Sequence, residues 1–374
     1  MNRLGFACKW DIDPRTTWSG TNWALITALQ ARIDTVDVGT HLSPLRRRAW
    51  QARGLRRKDG AWITRWENTP PWEKYLLNDV QRNVTASGCD AVLEIQDVGV
   101  VDRPFFIYQD LSYDVLAREL ESSDEGVTHF FRGLDRELLE RRRARQHEVF
   151  AKAAGVLAMS ASYADSLVRE SGLPPDKVHV AYPGATSLAG ALSAAPRRDR
   201  TAPRTKLLFV GTTFLVKSGD VVLKAFELLR QQDRSLTLTI VGPAIWPMDG
   251  PVPDGVDFRG RVPRSEIATI MDEHDLFVMP SRLEGFGMVF VEALARGLPC
   301  IGRRAFAMPE LIEDGVTGAI VDTLDTNLLA EAIVKALADD SIYEATSARA
   351  ASAAELFSWD RTASTMIDFM KSKL

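Results

Sequence analysis

The sequence predicts an α/β protein of two domains, each a parallel sheet covered by helices, and three observations carry that prediction. At 374 residues the chain is long for one hydrophobic core and comfortable for two. In both halves short apolar runs bounded by Gly, Pro or Asp alternate with helical stretches, the pattern of repeated strand–helix–strand units. From Ala189 to Arg204 the composition shifts to Ala, Pro, Ser and Arg with no buried-strand pattern, which reads as a linker.

In the first half the spacing predicts a strand at Arg3–Ala7, a loop ending in Trp18-Ser19-Gly20-Thr21, and a helix through Leu25, Leu29 and Ile33. Strands follow at Ala91–Ile95 and Phe105–Tyr108, then a charged helix over Glu137–Ala153 and a strand over Gly155–Ser160. A helix from Ala161 to Ser171 and a strand at Val178–Ala181 complete this half. The second half restarts with a strand at Lys206–Val210, a helix at Gly219–Arg230, and strands at Leu236–Val241 and Asp257–Arg259. It continues with a helix at Arg264–Glu273, a strand at Leu276–Met279, a helix at Phe286–Arg296, and strands at Cys300-Ile301 and Ala319–Val321. Helices are predicted over Asn327–Leu337 and Ser341–Leu356, and Phe357–Arg361 opens a last one. The expected division is a domain over 1–188, a linker over 189–204, a domain over 205–356 and a terminal helix over 357–374. Two such Rossmann-like domains are expected to leave a cleft where strand C-termini and helix N-termini converge.

Apolar content of 45% with 26% charged residues and a net charge of -4 is ordinary for a globular protein. No apolar run reaches the roughly 18 to 20 residues that span a bilayer, and the start of the chain lacks the charged-then-apolar layout of a signal peptide. Cys8, Cys89 and Cys300 are far apart and without C-x-x-C spacing, so reduced thiols and a cytoplasmic location are expected. The five histidines are scattered, without metal-ligand spacing. No strand is followed by G-x-G-x-x-G, which disfavours a nicotinamide dehydrogenase.

The stretch Pro280–Cys300 carries the most chemistry. It passes from an apolar strand through Gly285 and Gly287 into an amphipathic helix, with Glu284 before the helix and Glu292 inside it. The glycines let the backbone approach a ligand, and the N–H groups of a first helical turn bind anions. Donors for phosphate beside two carboxylates for hydroxyls suit a sugar nucleotide. This arrangement resembles the E-x7-E motif of the retaining GT-B glycosyltransferases of family 4. Exposed glutamates of helix and loop are the plain alternative.

A second junction, Phe209–Asp220, carries Lys217 just before a helix start. A cation there, added to the helix terminus, suits a diphosphate leaving group. It resembles the phosphate-binding lysine loop of the family, with Val216 where an arginine often stands and Ser218 in place of a glycine. Arg282 is a candidate for the missing charge. A solvated loop lysine is the alternative. The resemblance implies that Glu292 accepts from ribose hydroxyls, that Glu284 holds hydroxyls of the transferred sugar, and that Gly285, Phe286, Gly287, Met288 and Val289 contact the donor. It places the base along Phe258–Val262, with Arg261 and Val262 as donor-binding candidates. Met308–Ile312 and Asp314–Gly318 resemble a further family segment, although Arg303–Ala307 before it lacks the usual glycines.

In the first half the match rests on layout and on Lys177–Ala185. Gly20 is the candidate donor contact, equally explained as a helix cap. Asp110, at the end of the Phe105–Tyr108 strand, stands where many relatives have a histidine. It is the candidate for orienting the acceptor hydroxyl or taking its proton, or else a turn aspartate. Glu148 resembles a helix glutamate of the family and reads as structural. The segment 46–66 interleaves Arg46, Arg47, Arg48, Arg53, Arg56, Arg57, Lys58 and Arg65 with Trp50, Trp62 and Trp66. It suits a membrane surface at the inner face, an anionic acceptor, or simply a solvated helix face. No nucleic-acid recognition fold surrounds it.

The resemblance thus implies a metal-independent, retaining hexosyltransferase without a resident cofactor. A UDP- or GDP-linked sugar would be the co-substrate, and a glycan, lipid-linked sugar or small molecule the acceptor. Its catalytic residues would be Asp110, Lys217 and Glu284. A sugar-nucleotide epimerase of the same fold, or a catalytically weak sugar-nucleotide-binding protein, are the alternatives.

Overall fold

The computed structural model describes residues 1–58, 61–121, 125–131, 136–185 and 203–374. These fall into two compact units. One holds 1–118, 136–185 and 358–374 of them, and the other holds 119–121, 125–131 and 203–357. The predicted domain boundary at 188 and positions 189–202 of the predicted linker lie outside the described residues.

The elements from the N-terminus are β1 (Arg3–Ala7), α1 (Thr21–Gln30), β2 (Asp34–Asp37), α2 (Pro44–Arg53), β3 (Leu55–Lys58), β4 (Ala61–Thr64) and α3 (Pro70–Ser87). They continue with β5 (Ala91–Ile95), β6 (Phe105–Gln109), α4 (Tyr113–Glu121), α5 (Glu125–Phe130), α6 (Arg136–Lys152), β7 (Gly155–Ala158), α7 (Ala161–Arg169) and β8 (Val178–Val180). The first unit is built on a parallel sheet in the order β2-β1-β5-β6-β7-β8. Every residue of β5, β6 and β7 is buried, as expected where helices cover both faces. Even Glu94 lies inside, accepting from the N–H groups of Val98 and Gly99 at 3.1 and 3.2 Å. Burial raises its carboxyl well above the usual range, and its two backbone contacts hold the turn after β5.

Several elements of the first unit lie outside the sequence reading. The edge strand β2 has only four residues and acidic ends. The basic–aromatic segment folds as α2 and the antiparallel β3–β4 hairpin, followed by α3. Its tryptophans divide. Trp66 packs with Leu42 and Trp72, centroid to centroid 4.4 Å from Trp72, and Trp50 rests against that cluster. Trp62 stays 67% exposed, among the exposed Arg46, Arg48, Arg53, Arg56 and Arg57.

The second unit contains β9 (Lys206–Val210), α8 (Gly219–Gln232), β10 (Thr237–Val241), β11 (Val256–Gly260), α9 (Arg264–Asp272), β12 (Leu276–Val278) and α10 (Met288–Ala295). It ends with β13 (Cys300–Arg303), α11 (Met308–Leu311), β14 (Gly318–Val321), α12 (Thr326–Ala338) and α13 (Asp340–Leu356). Its parallel sheet runs β11-β10-β9-β12-β13-β14. In chain order that is 3-2-1-4-5-6, the doubly wound dinucleotide-binding arrangement. Arg204, the last residue of the predicted linker, donates to the Leu337 carbonyl and lies 3.9 Å over the Tyr343 ring, so it belongs to this unit.

The chain closes with α14 (Trp359–Ser372), which packs on α1 within the first unit. Ser358 caps it, accepting from the Arg361 N–H, and Ala363, Met366 and Met370 are fully buried. Gly155 of β7 makes room, since a Cβ there would come within 2.5 Å of the Phe369 ring.

Candidate functional site

In a doubly wound sheet, ligands bind outside the carboxyl ends of the strands where the winding reverses. In the second unit that point lies between β9 and β12. The loop after β9 carries Lys217 and the loop after β12 carries Glu284, so both motifs read from the sequence meet at the switch point.

The two loops interlock. Lys217 Nζ donates to Glu284 Oε2 at 2.9 Å and to the Leu283 carbonyl at 3.0 Å. The Val216 carbonyl accepts from the N–H of Arg282 at 2.9 Å, so the position that lacks the family's arginine supplies a backbone tie. Arg282 donates to both carboxylate oxygens of Asp220, at 2.6 and 3.0 Å, and to the Leu215 carbonyl at 2.8 Å. Arg282, the candidate for the missing charge, is thus engaged by the first turn of α8. Arg303 pins the loop from beneath, reaching the carbonyls of Ser281 and Arg282 at 3.0 and 2.8 Å.

Helix α10 starts at Met288, two residues later than the spacing predicts. Gly287 sits at φ 92°, and a left-handed residue ends the helix there. Neither α8 nor α10 has a side-chain cap, whereas α12, α13 and α14 are capped by Asp325, Asp339 and Ser358. The two helices that point at the switch point therefore keep their first-turn N–H groups clear of capping side chains, as an anion site requires. Among the other donor candidates, Gly285, Met288 and Val289 are half-buried, while Phe286 is buried against Phe357, 5.8 Å between ring centroids.

Glu292 is buried on α10 and receives Arg264 at 2.9 Å from the start of α9. Sequence reading missed Arg264, which lies 28 residues away and is brought in only by the packing of α9 beside α10. Of the two base-binding candidates, Arg261 is exposed and Val262 half-buried. Trp246, also missed, stands edge-on to Phe258 at 5.4 Å, and its indole Nε1 is buried without a hydrogen-bond partner among the described residues. The loops here approach closely: a Cβ on Gly242 would lie 2.5 Å from the Gly211 carbonyl carbon.

Two positions where glycine is usual have kept the backbone shape without it. Ser218 lies at φ 59° and Phe306 at φ 53°, both in the left-handed region that costs an ordinary residue about 1–2 kcal/mol. Non-glycine strain of this kind persists where the surroundings over-determine it, and functional loops are the usual setting.

The remaining candidates lie in the first unit. Gly20, at φ 85°, is the N-cap of α1 and makes no side-chain cap, so its service there is conformational. Asp110 is half-buried at the carboxyl end of β6. Its neighbour Gln109 is buried, donating to the Leu111 carbonyl and to the Tyr163 hydroxyl, which fixes the strand end that carries Asp110. Glu148 is exposed. Among the described residues there is no group of His, Cys, Asp and Glu placed to hold a metal ion, and no helix long and apolar enough to cross a membrane.

Residues 204–339 match the family described as "Glycosyl transferases group 1". A D-inositol 3-phosphate glycosyltransferase of Pseudarthrobacter chlorophenolicus is 33% identical over 244 residues, covering 61% of this chain and 58% of that protein. Its namesake from Streptomyces avermitilis is 30% identical over 247 residues, covering 59% and 52%. The chain thus spans little more than half the length of these curated relatives. Sucrose-phosphate synthase from Thermosynechococcus elongatus superposes with a TM-score of 0.70 at 17% identity, over 100% of this chain and 99% of that one. Anabaena HepE, solved in complex with UDP-glucose, gives 0.65 at 18% identity over 99% of both. At these identities the likeness is one of fold, two Rossmann-like domains in the GT-B manner.

Proposed function

We infer the function from the family to which the chain belongs, the GT-B glycosyltransferases of group 1. The reaction we propose is transfer of a hexose-type sugar from a nucleoside diphosphate to an acceptor hydroxyl, with retention at the anomeric carbon and no metal. The observation that carries it is the Lys217–Glu284 pair at the switch point, flanked by two helix N-termini without side-chain caps.

In this reading the diphosphate lies at the N-termini of α8 and α10, beside Lys217. Negative charge on it grows as the glycosidic bond breaks, so fixed donors and a cation stabilise the transition state more than the ground state. Glu292 accepts from the ribose hydroxyls, and Arg264 holds its carboxylate in place. Glu284 accepts from hydroxyls of the transferred sugar, close to the leaving group because it is tied to Lys217. Asp110 orients the acceptor hydroxyl. UDP is the favoured nucleotide, since HepE was solved with UDP-glucose. The relatives named for D-inositol 3-phosphate favour a phosphorylated polyol as acceptor.

The test is a panel of UDP- and GDP-sugars incubated with polyol, glycoside and lipid-linked acceptors, followed by nucleoside-diphosphate release and by NMR of the product. Acceptor-dependent release with a product of the donor's anomeric configuration is expected. An isomerised sugar nucleotide without release would make the chain an epimerase, and donor binding without turnover would make it a binding protein.

A further inference from the structure

The charge of this chain is unevenly placed. Between residues 38 and 66 stand eight Lys or Arg and one acidic residue, Asp59, although the whole chain carries a net charge of -4. One of the eight, Arg47, is engaged by Asp11 at 3.1 Å. Arg46, Arg48, Arg53, Arg56 and Arg57 are exposed, and among the described residues none of them has a carboxylate partner. Arg53 instead lies over the Trp50 ring, 5.7 Å from its centroid.

Apolar groups are set among these cations. No residue of α2 is buried, although a helix of ten residues draws most of its stability from packing. Leu45, Ala49 and Ala52 recur at helical spacing as one exposed stripe, with Arg48 along one side of it and Arg46 and Arg53 along the other. The β3–β4 register sets Leu55 opposite Thr64 and Arg57 opposite Trp62, so Leu55, Arg57 and Trp62 share one face of the hairpin. Thr64 Oγ1 donates to the Gln51 carbonyl at 2.8 Å, which fixes the hairpin to α2. Leu45 is 77% exposed, Trp62 67% and Leu55 47%.

We propose that α2 and the β3–β4 hairpin dock this protein on the surface of an anionic lipid bilayer. A soluble polyanion would match the arginines but leave Leu45, Leu55 and Trp62 in water. A protein interface keeps charge away from its buried centre. Here cations and apolar groups alternate every few residues, so covering one covers the other. A bilayer surface takes both at once. The leucines and the indole enter the acyl boundary, while the arginine stems lie along it and the guanidinium groups stay with the lipid phosphates. A cavity of about 280 Å³ walled by Arg46, Arg53, Trp50 and Tyr75 has the room and the charge for one phosphate headgroup. This docking is independent of sugar transfer and is measurable without it.

The experiment is co-sedimentation of the full chain with vesicles of phosphatidylcholine alone and of phosphatidylcholine with about one third phosphatidylglycerol, at about 0.1 M and about 0.5 M salt. Only the anionic vesicles should carry the protein down, and the higher salt should weaken that binding about tenfold or more. Arg48→Gln combined with Arg57→Gln should weaken it about twentyfold, and Trp62→Ser about tenfold, with melting temperatures unchanged because all three side chains are exposed. Absence of binding to the anionic vesicles overturns the proposal, as does equal binding to both kinds. Full vesicle binding by Trp62→Ser, with heparin retained equally by both proteins, would make this a charge-only polyanion site and also overturns it. So would a dimer of the unaltered chain that Trp62→Ser abolishes and vesicles do not compete with, since the face would then join two copies. Should the double arginine variant fail to fold, the salt series and Trp62→Ser decide.

Discussion

Lys217 and Glu284 form one ion pair, Nζ to Oε2 at 2.9 Å, although 67 residues separate them. The cation assigned to the leaving diphosphate and the carboxylate assigned to the sugar are therefore parts of one device. Both side chains are largely buried, so each sets the electrostatic surroundings of the other.

From this pair we expect Lys217→Ala to lower kcat by a larger factor than it raises the donor KM, since the lysine acts most on charge that develops during bond breaking. Glu284→Gln should spare affinity for the free nucleoside diphosphate while impairing use of the sugar donor. Combined, the two changes should be non-additive, with a coupling of about 0.5–3 kcal/mol in a double-mutant cycle on kcat/KM. Strict additivity would mean that the contact has no role in turnover.

Arg282 should behave as a structural residue. Arg282→Ala leaves Asp220 without its bidentate partner and releases the Leu215 carbonyl, a loss on the order of 3 kcal/mol for a mostly buried pair. Thermal unfolding is the check. An unchanged melting temperature together with weakened diphosphate binding would return Arg282 to the phosphate role that the sequence suggested.

Ser218→Gly should stabilise the protein. It relieves about 1–2 kcal/mol of left-handed strain and removes a buried hydroxyl that has no hydrogen-bond partner among the described residues, against about 0.5–1 kcal/mol of added chain entropy in the unfolded state. Chemical denaturation should show a net gain of about 1 kcal/mol. A loss of stability would indicate that the hydroxyl has a role within the fold.

Asp110→Asn keeps the shape of the side chain and removes its charge. If Asp110 serves the acceptor hydroxyl, transfer should fall by about a hundredfold or more, with nucleotide affinity retained. Full activity with a lower melting temperature would show that the aspartate only holds the turn after β6.

Much of this was legible in the sequence because the chemistry sits at strand-to-helix junctions. The apolar run before Gly211 and the one before Pro280 each signal a strand, and the residues after them are bound to emerge at one edge of a parallel sheet. Lys217 and Glu284 could therefore be named. Their direct contact could not, because it depends on β9 and β12 being neighbours in the sheet. The same holds for Arg282 with Asp220 and Arg264 with Glu292, which are 62 and 28 residues apart. Ser218 and Phe306 hid their left-handed backbone behind side chains that normally avoid it. Segment 46–66 concealed its fold because arginine density reads as surface, whereas Trp50 and Trp66 point into a cluster completed by Trp72.

The most direct test of the central claim, that the second unit holds a nucleoside diphosphate through Glu292, is calorimetric titration of UDP and GDP into the unaltered protein and into Glu292→Ala. One of the two nucleotides should bind the unaltered chain. The variant should lose about 1.5–3 kcal/mol, a ten- to hundredfold rise in Kd, because a charged acceptor for the ribose hydroxyls is gone. Equal affinity of the two proteins for UDP and for GDP would contradict the account.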